Sequence, residues 1–425
     1  MIIHVVKPGE TLFSIANMYG VSPWSISSRN KLVSEALVPG QTLVVLKPEL
    51  LTTVRPGDTL YSIAQSNGMN VNKLIRMNPW LTRNSSLTPG QQLALSYGAA
   101  LRPLVVTGYA YPFANMQLLS ETLPYISCLM PFTYGFNSDG TLVYLDDDAL
   151  LNAARVNDVR PFMHLSTLTQ EGNFDSALAV SLFQSPAMQR TLLDNVVGTI
   201  LSKGYDGLDI DFEYIPGQLA PSYAAFVRAA RQRLAPYDKR VTSALAPKIS
   251  GEQRGLLYEG HSYADLGAVS DAVLLMTYEW GYTYGPPMAI APINKVRQVV
   301  SYALTQIPAQ KMLLGIPNYG YDWPLPFIEG RTRAQSISNE RAVELARIHG
   351  VSILYDDEAQ SPHFQYTDTD GSRHEVWFED ARSISAKFDL IDEFSLLGAG
   401  YWNLMRPFAQ NWLVLGSRYD VVNLR

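Results

Sequence analysis

The amino-acid sequence predicts an α/β protein: an eight-stranded (β/α)8 barrel with a small α+β insertion, preceded by two small βααβ domains. Three features predict this fold: a duplicated unit at the N-terminus, eight strand-like runs after residue 101, and an acidic strand among those runs. We expect the domains to occupy residues 1–48, 49–97 and 101–425, with the insertion at approximately 325–395.

The duplicated unit is about fifty residues long. The segment "VVKPGETLFSIANMYGVS" recurs as "TVRPGDTLYSIAQSNGMN", so that Lys7 aligns with Arg55 at an offset of 48 residues, and each copy ends in a "PGQ" segment. Thr11 precedes apolar residues at i, i+3, i+4 and i+7, the pattern of a capped amphipathic helix, and Thr59 stands at the same place in the second copy. With a strand before this helix and a helix and a strand after it, each copy predicts a βααβ domain.

Eight strand-like runs follow, with helical patterns between them. Eight parallel strands over about 320 residues predict a TIM barrel somewhat larger than the typical domain of about 250 residues. The extra length falls before the eighth run, where "HFQYTDTDGSRHEVWFED" predicts strands around an Asp-Gly turn. The predicted strands are Leu104–Pro112, Ile126–Tyr134, Val159–Thr167, Asp206–Tyr214, Arg240–Lys248, Asp271–Trp280, Lys311–Trp323 and Leu397–Leu404.

The fourth run, "DGLDIDFEY", has one apolar face and one acidic face. With the two-residue period of a strand, Asp209, Asp211 and Glu213 share a face, whereas Asp206 has the opposite parity and is predicted to be a turn or capping residue. In a barrel the acidic face points into the lumen, where an unpaired buried charge costs several kcal/mol. We therefore interpret the three acids as a catalytic site at the carboxyl end of the strand.

The spacing of these acids constrains a mechanism. Asp211 and Glu213 lie about 6.6 Å apart along one face of one strand, so both approach a sugar from the same side. Two carboxylates that flank an anomeric carbon, as most glycosidases require, cannot come from this pair. If the protein is a glycosidase, one acid protonates the leaving oxygen and the nucleophile comes from elsewhere, most economically from a 2-acetamido group of the substrate.

Composition excludes several other classes of protein. The net charge of −6 argues against nucleic acid as a partner, and no apolar run approaches the roughly 20 residues of a membrane span. The N-terminus carries no conventional signal peptide pattern. The single cysteine, Cys128, excludes an internal disulfide, and the six histidines show no metal-binding pairing, so we expect neither metal nor cofactor. His164 is interpreted as a hydrogen-bonded neighbour, and a monomer is expected.

Both N-terminal units resemble LysM domains, small modules that bind N-acetylglucosamine-containing glycans; the motif "PG[ED]TL[FY]SIA" with its closing "PGQ" carries the resemblance. The likeness implies that the sugar lies between the loop after the first strand and the loop before the last. It thereby points to Gly9 and Thr11 in the first copy and to Gly57 and Thr59 in the second. The alternative is that these residues only shape turns and cap helices.

The acidic strand matches the DxxDxDxE signature of glycoside hydrolase family 18, which includes chitinases that act by substrate assistance. The resemblance implies that Glu213 is the general acid/base, that Asp211 orients the acetamido group and that Asp209 supports Asp211. It further implies substrate contacts for residues of the sixth, seventh and eighth strands. These residues are Met276 and Tyr278, with Tyr278 holding the N-acetyl group, then Asn318, Tyr319 and Trp402, with Trp402 as the floor of the cleavage subsite.

The chain departs from the family pattern at two places. Glu279 follows Tyr278 where relatives commonly have Asp, and the third strand reads "HLSTLTQ" without the Gly-rich segment often seen there. Two LysM units before such a barrel resemble the spore cortex-lytic enzymes of the YaaH/SleL type. That resemblance implies an N-acetylglucosaminidase acting on spore cortex peptidoglycan and located in the cortex or coat region. A chitinase and a non-catalytic glycan-binding scaffold remain as alternatives.

Overall fold

The computed structural model describes residues 1–98, 101–168 and 174–424. Each N-terminal domain has two helices packed on a two-stranded antiparallel sheet, which confirms the predicted βααβ fold. The first consists of β1 (Ile2–Val5), α1 (Leu12–Tyr19), α2 (Pro23–Arg29) and β2 (Thr42–Val45), and the second of β3 (Leu50–Thr53), α3 (Leu60–Ser66), α4 (Val71–Met77) and β4 (Gln92–Ser96).

The first helix of each domain begins with the same capping box. Thr11 accepts from the N–H of Ser14 at 3.1 Å, and Thr59 accepts from the N–H of Ser62 at 3.0 Å. Each serine hydroxyl in turn accepts from the N–H of its threonine, so two otherwise unpaired helix donors are satisfied. The repeated sequence therefore forms the same local structure twice.

The next part of the chain forms seven parallel barrel strands with helices between them. Each strand lies within its predicted run, except that β5 begins two residues earlier than predicted. In chain order the elements are β5 (Arg102–Ala110), α5 (Met116–Thr122), β6 (Cys128–Pro131), α6 (Asp148–Val156), β7 (Arg160–Ser166), α7 (Ser176–Gln184), α8 (Pro186–Lys203), β8 (Gly207–Asp211), α9 (Ala220–Leu234), β9 (Arg240–Leu245), α10 (Leu256–Glu259), α11 (Tyr263–Val269), β10 (Ala272–Leu275), α12 (Ile293–Leu304) and β11 (Met312–Pro317).

An insertion leaves the barrel directly after β11. It comprises β12 (Gly320–Leu325), β13 (Gln335–Ile337), α13 (Asn339–Ile348), β14 (Leu354–Asp356), β15 (Ser361–Thr367) and β16 (Arg373–Trp377), with the antiparallel sheet order β13-β12-β16-β15-β14. The single predicted strand Lys311–Trp323 therefore contains two strands. Its apolar pattern continues across the corner because Tyr321 and Trp323 are buried in the insertion, and periodicity alone could not mark the break.

The barrel closes after the insertion. The remaining elements are α14 (Ala381–Phe394), β17 (Gly398–Trp402), α15 (Ala409–Arg418) and β18 (Tyr419–Val421). β17 pairs in parallel with both β11 and β5, which completes the eight-stranded barrel. The expected insertion range, 325–395, differs at both ends: the inserted sheet starts at Gly320, and α14 buries Phe388 and Ile391 in the main barrel core.

The main core lies between the barrel sheet and its outer helices. Leu208, Ile210 and Phe212 are fully buried, and the Phe212 ring centroid lies 5.6 Å from those of Tyr223 and Phe226 on α9. This packing fixes the strand parity and directs the alternating acids into the lumen. Within residues 1–98, 101–168 and 174–424, no helix is both long and apolar enough to cross a bilayer.

Both N-terminal domains pack against the barrel. In the first, the Thr42 hydroxyl donates to Gln410 of α15 at 2.6 Å, and the Gln410 amide donates back to the Thr42 carbonyl. In the second, the buried Arg76 donates to the Pro124 carbonyl at 2.8 Å and to Asp420 at 2.7 Å. The domains are thus held to the barrel by polar contacts on buried surface.

Candidate active site

The acidic face of β8 lies at the carboxyl end of the barrel. Asp209 is 1% exposed and Asp211 6%, and Glu213, two residues beyond the end of the strand, is partly buried. The carboxyl ends of the parallel strands meet here, so residues from several strands surround the three acids.

Asp209 is the deepest acid and is held from two neighbouring strands. The Tyr109 hydroxyl donates to its Oδ2 at 2.9 Å, and the Thr242 hydroxyl donates to its Oδ1 at 2.5 Å. Burial raises the pKa of Asp209, whereas His164 and the two hydroxyl donors act to lower it. Both oxygens are thereby occupied, so Asp209 contacts its neighbours rather than the cleft.

His164 lies between the two deeper acids, and its ring is fully buried. It is paired with Asp209 in the β7–β8 register, and its Nε2 lies 3.7 Å from Oδ2 of Asp209 and 3.6 Å from Oδ2 of Asp211. Its Nδ1 lies 2.6 Å from the Thr133 hydroxyl. The predicted hydrogen-bonded neighbour is therefore part of the acidic cluster, a placement that depends on the register between strands.

Glu213 is the acid at the mouth of the cluster. Burial, then the charges of Asp211 and Glu279, raise its pKa well above the ordinary value. Burial, then Asp211 and Glu213, raise the pKa of Tyr278 as well. The raised pKa gives Glu213 the environment of a proton donor. The raised pKa of Tyr278 keeps its hydroxyl protonated, so that it can donate a hydrogen bond.

A buried histidine that sequence reasoning missed supports the peptide between Asp211 and Glu213. The Ala246 N–H donates to Nδ1 of His261 at 2.8 Å, so Nε2 carries the proton and donates to the Phe212 carbonyl at 3.0 Å. Burial lowers the pKa of His261, in agreement with the neutral ring that these bonds require. No local sequence signal marks it, because its partners directly follow β8 and β9 and are distant in the sequence.

Glu279 stands on the next segment around the cleft, with a positive φ of 67°. Its Oε1 accepts from the hydroxyls of Tyr319 and of Tyr321, the latter at 3.2 Å. Although the residue as a whole is exposed, its carboxyl end packs against these rings, and burial there raises its pKa. Tyr319, predicted to line the cleft, is thus also a donor to Glu279.

Trp402 ends β17 as part of an aromatic cluster. Its ring centroid lies 4.8 Å from that of Phe132, 5.6 Å from Tyr109 and 6.1 Å from Tyr111, and one part of it remains accessible. Met276 is 9% exposed and packs near Tyr278. A partly open tryptophan at the end of the eighth strand is the kind of surface on which a pyranose ring can stack.

Asn318 is buried beneath the loop that follows β17. Its amide nitrogen donates to the carbonyls of Asn403 and Arg406, both at 2.9 Å. The amide therefore supports the loop next to Trp402 rather than presenting its nitrogen to the cleft. Its substrate-binding role stays a prediction.

The predicted N-terminal site residues belong to the two βααβ domains. Gly9 and Gly57 have φ of 81° and 85°, in the loops that precede Thr11 and Thr59. The left-handed backbone explains glycine at these positions, and the capping boxes explain threonine. Their role in glycan binding stays a prediction.

Glu213, Asp211 and Asp209 thus lie with Tyr278 and Trp402 at the carboxyl end of a (β/α)8 barrel, the end at which barrel enzymes have their active sites. The sequence profile of glycosyl hydrolases family 18 matches residues 106–406, and that of the LysM domain matches residues 4–46 and 52–96. The chain belongs to glycosyl hydrolases family 18 and carries two LysM domains.

Full-length relatives share this architecture. The cortical fragment-lytic enzyme of Bacillus subtilis (strain 168) is 38% identical over 99% of both chains. The structure of the spore cortex-lytic enzyme SleL of Bacillus megaterium QM B1551 superimposes with a TM-score of 0.85 at 35% identity, covering 99% of this chain and 98% of that one. The Bacillus cereus SleL structure gives 0.85 at 35% identity over 100% and 99%. This chain is thus a glycosidase similar to cortex-lytic enzymes over its whole length.

Proposed function

We propose that the protein cleaves N-acetylglucosaminyl bonds in spore cortex peptidoglycan, or in its fragments, by a retaining, substrate-assisted mechanism. The observation that carries this proposal is the state of Asp211. Its Oδ1 is buried and has no hydrogen-bond partner among the described residues, while its Oδ2 faces His164. A buried carboxylate oxygen without a donor is costly, and the N–H of a substrate acetamide would satisfy it.

The reaction follows from the positions of three groups. The acetamido oxygen attacks the anomeric carbon as the bond to the leaving oxygen breaks, and Glu213 gives that oxygen its proton. Asp211 holds the acetamide N–H, and Tyr278 donates to the acetamide oxygen. Water then opens the cyclic oxazolinium ion and passes a proton to Glu213, which restores the acid and retains the anomeric configuration.

Trp402 completes the subsite as the surface under the sugar ring, and Met276 and Tyr319 flank it. Asp209 and His164 do not contact the sugar in this proposal and act through Asp211. Asp209 is fully hydrogen-bonded, so the charge it holds next to Asp211 has a fixed position. We further propose that the LysM domains hold the enzyme at its polymer through Gly9, Thr11, Gly57 and Thr59.

The names of the full-length relatives support the choice of polymer. Three of them are cortical fragment-lytic enzymes of Bacillus species, and they match over 99% of this chain. An N-acetylglucosamine bond in cortex peptidoglycan is the linkage we propose, and a spore location goes with it. A monomer suffices for this chemistry, since every proposed group comes from one chain.

The proposal is tested by mass spectrometry of products from purified cortex fragments, using the wild-type protein and Glu213→Gln. We expect new N-acetylglucosamine reducing ends from the wild type, and a loss of at least about 10²-fold in rate for the variant. New muramic acid reducing ends would overturn the linkage. Chitin oligomers cleaved in preference to cortex fragments would favour a chitinase, and no release from either substrate would favour a binding scaffold.

A further inference from the structure

The two LysM domains have the same internal structure at the loop before the last strand. In the first domain, the Gly40 N–H donates to the Val6 carbonyl at 2.8 Å, and Gln41 Oε1 accepts from the Val38 N–H at 3.1 Å. The second domain repeats both bonds: Gly90 donates to Val54 at 2.8 Å, and Gln91 accepts from Thr88 at 3.2 Å. The two loops therefore have the same internal hydrogen bonds, and their surroundings can be compared directly.

In the first domain this loop is packed against the barrel insertion. The Pro39 carbonyl accepts from the N–H of Ile353 at 2.9 Å, and the Gly40 carbonyl accepts from the Arg382 guanidinium at 3.2 Å. A Cβ atom at Gly40 would lie 1.9 Å from the Ile353 carbonyl oxygen, so the two backbones are in direct contact. Both carbonyls of the Pro-Gly segment are thus already used.

In the second domain the same loop is open. Pro89 and Gly90 are exposed, and a Cβ at Gly90 would meet no heavy atom of the described residues within 4 Å. The carbonyls of Pro89 and Gly90 accept no hydrogen bond from the described part of the chain. Sugar hydroxyls and acetamide N–H groups need such acceptors, and here they remain available.

The two loops differ in sequence at the position that contacts the insertion in the first domain. Val38 is 4% exposed and packs in the core of the insertion with residues of α13, whereas its counterpart Thr88 is exposed. An apolar residue at one position and a polar one at the other match a buried loop and a solvated loop. The difference follows the packing, although the flanking "PGQ" segments are identical.

We propose that the two LysM domains have divided their roles: the second binds the N-acetylglucosamine-containing glycan, and the first is docked on the barrel insertion with its groove closed. This inference rests on the proposed function, since the glycan is the polymer proposed above. In the docked protein, a glycan could enter the first groove only by breaking the contacts of Pro39 and Gly40 with the insertion. The second groove requires no such opening and therefore binds first.

The test is a methyl NMR titration of the full-length Glu213→Gln protein with the β-1,4-linked tetramer of N-acetylglucosamine. Ile15 and Ile63 occupy equivalent helix positions in the two domains and report on each of them, and Met276 reports on the barrel cleft. We expect shifts at Ile63 and Met276 and none at Ile15. Equal shifts at Ile15 and Ile63, or a shift at Ile15 alone, would overturn the inference.

A second variant tests the closure itself. Val38→Asp places a charge in the core of the insertion and should undock the first domain, so that Ile15 also responds to the tetramer. Val33→Asp is the matched control, because Val33 is 76% exposed on the same domain and its replacement should leave Ile15 silent. An Ile15 that stays silent in Val38→Asp would contradict closure as the reason for its silence.

The titration separates the two levels of the proposal. A shift at Met276 with Ile63 silent would overturn the division of roles while leaving the barrel's glycan specificity intact. Silence at Met276 and Ile63 together, at saturating tetramer, would overturn the proposed function and this inference with it.

Discussion

Individual residues in the acidic cluster differ through their surroundings rather than through their chemistry. Asp209 has both oxygens hydrogen-bonded, Asp211 keeps one buried oxygen without a partner among the described residues, and Glu213 has its pKa raised well above the ordinary value. These three states match a fixed charge, an acceptor for the substrate and a proton donor. The roles proposed for the three acids rest on these differences.

The raised pKa of Glu213 predicts a dependence of stability on pH. Because the folded protein holds this proton to higher pH than the unfolded chain does, stability is lost as pH rises from the ordinary value of 4.5 to the raised pKa. Glu213→Gln removes this loss. We expect its Tm to equal that of the wild type at pH 4 and to exceed it by about 2 °C at pH 8.

Differential scanning calorimetry at the two pH values measures this difference. Glu252→Gln, at an exposed position, serves as the control and should change Tm equally at both pH values. A Glu213→Gln protein that gains nothing at pH 8 would show that this carboxyl is not held protonated by its surroundings.

His164 should influence the pH dependence of the reaction through the two aspartates that it faces. His164→Phe keeps an aromatic ring but removes both ring nitrogens, including the Nε2 that faces Asp209 and Asp211. The pKa of Asp209 should therefore rise further. We expect kcat/KM to fall roughly tenfold or more, and the acidic limb of the pH profile to move to higher pH, because a higher pKa of Asp209 delays its ionisation.

The pH dependence of kcat/KM on cortex fragments provides the measurement. His349→Phe, a histidine of the insertion outside the acidic cluster, is the control and should leave the profile unchanged. A lower rate for His164→Phe without any shift of the acidic limb would restrict His164 to a structural role.

At the scale of secondary structure elements, the sequence predicted the βααβ domains and all eight barrel strands. The shared face of Asp209, Asp211 and Glu213 could be predicted from the two-residue period of a strand alone. His261 could not be predicted in this way, since it lies between two helices and its partners, Phe212 and Ala246, directly follow β8 and β9. The corner at Asn318 was missed as well, because apolar residues continue on both sides of it.

The Asn318 side chain joins the end of β11 to the loop that follows β17, so we expect its loss to affect both stability and substrate binding. Asn318→Ala removes the side-chain donor to the partly buried carbonyls of Asn403 and Arg406, which should lower the free energy of unfolding by about 1–3 kcal/mol. KM should also rise, because the loop beside Trp402 loses its anchor. Urea denaturation and steady-state kinetics measure both effects.

Asn318→Asp sharpens that experiment, because a carboxylate has nearly the same shape but cannot donate to either carbonyl. It should reproduce both effects of the alanine variant. Normal KM and normal stability in both variants would exclude the proposed anchoring role.

For the whole molecule, the structure presents a barrel to which both LysM domains are docked. The docking could not be predicted from the sequence, since the partners of Thr42, Pro39 and Arg76 lie hundreds of residues away or depend on the position of the insertion. The repeat predicted two equivalent domains. Packing makes them different, through the contact of the first with Ile353.

Replacing Arg76 should release the second LysM domain from the barrel. Arg76→Ala removes the donor to the Pro124 carbonyl and one of the two cations paired with Asp420, which is 34% exposed and keeps Lys73 at 3.0 Å, so docking stability should fall by about 1–3 kcal/mol. We expect a larger radius of gyration in small-angle X-ray scattering but unchanged kcat on short soluble fragments. Arg55→Ala, at an exposed position of the same domain, is the control, and an equal response of the two variants would contradict this account.

We propose that the acetamide of the substrate, rather than a second carboxylate such as Glu279, supplies the nucleophile. The most direct measurement compares the rate of reducing-end release from cortex fragments before N-deacetylation, after it, and after re-acetylation. We expect a loss of at least about 10²-fold on deacetylation, with the rate restored by re-acetylation. An undiminished rate on the deacetylated fragments would contradict substrate assistance and move the nucleophile to a carboxylate of the protein.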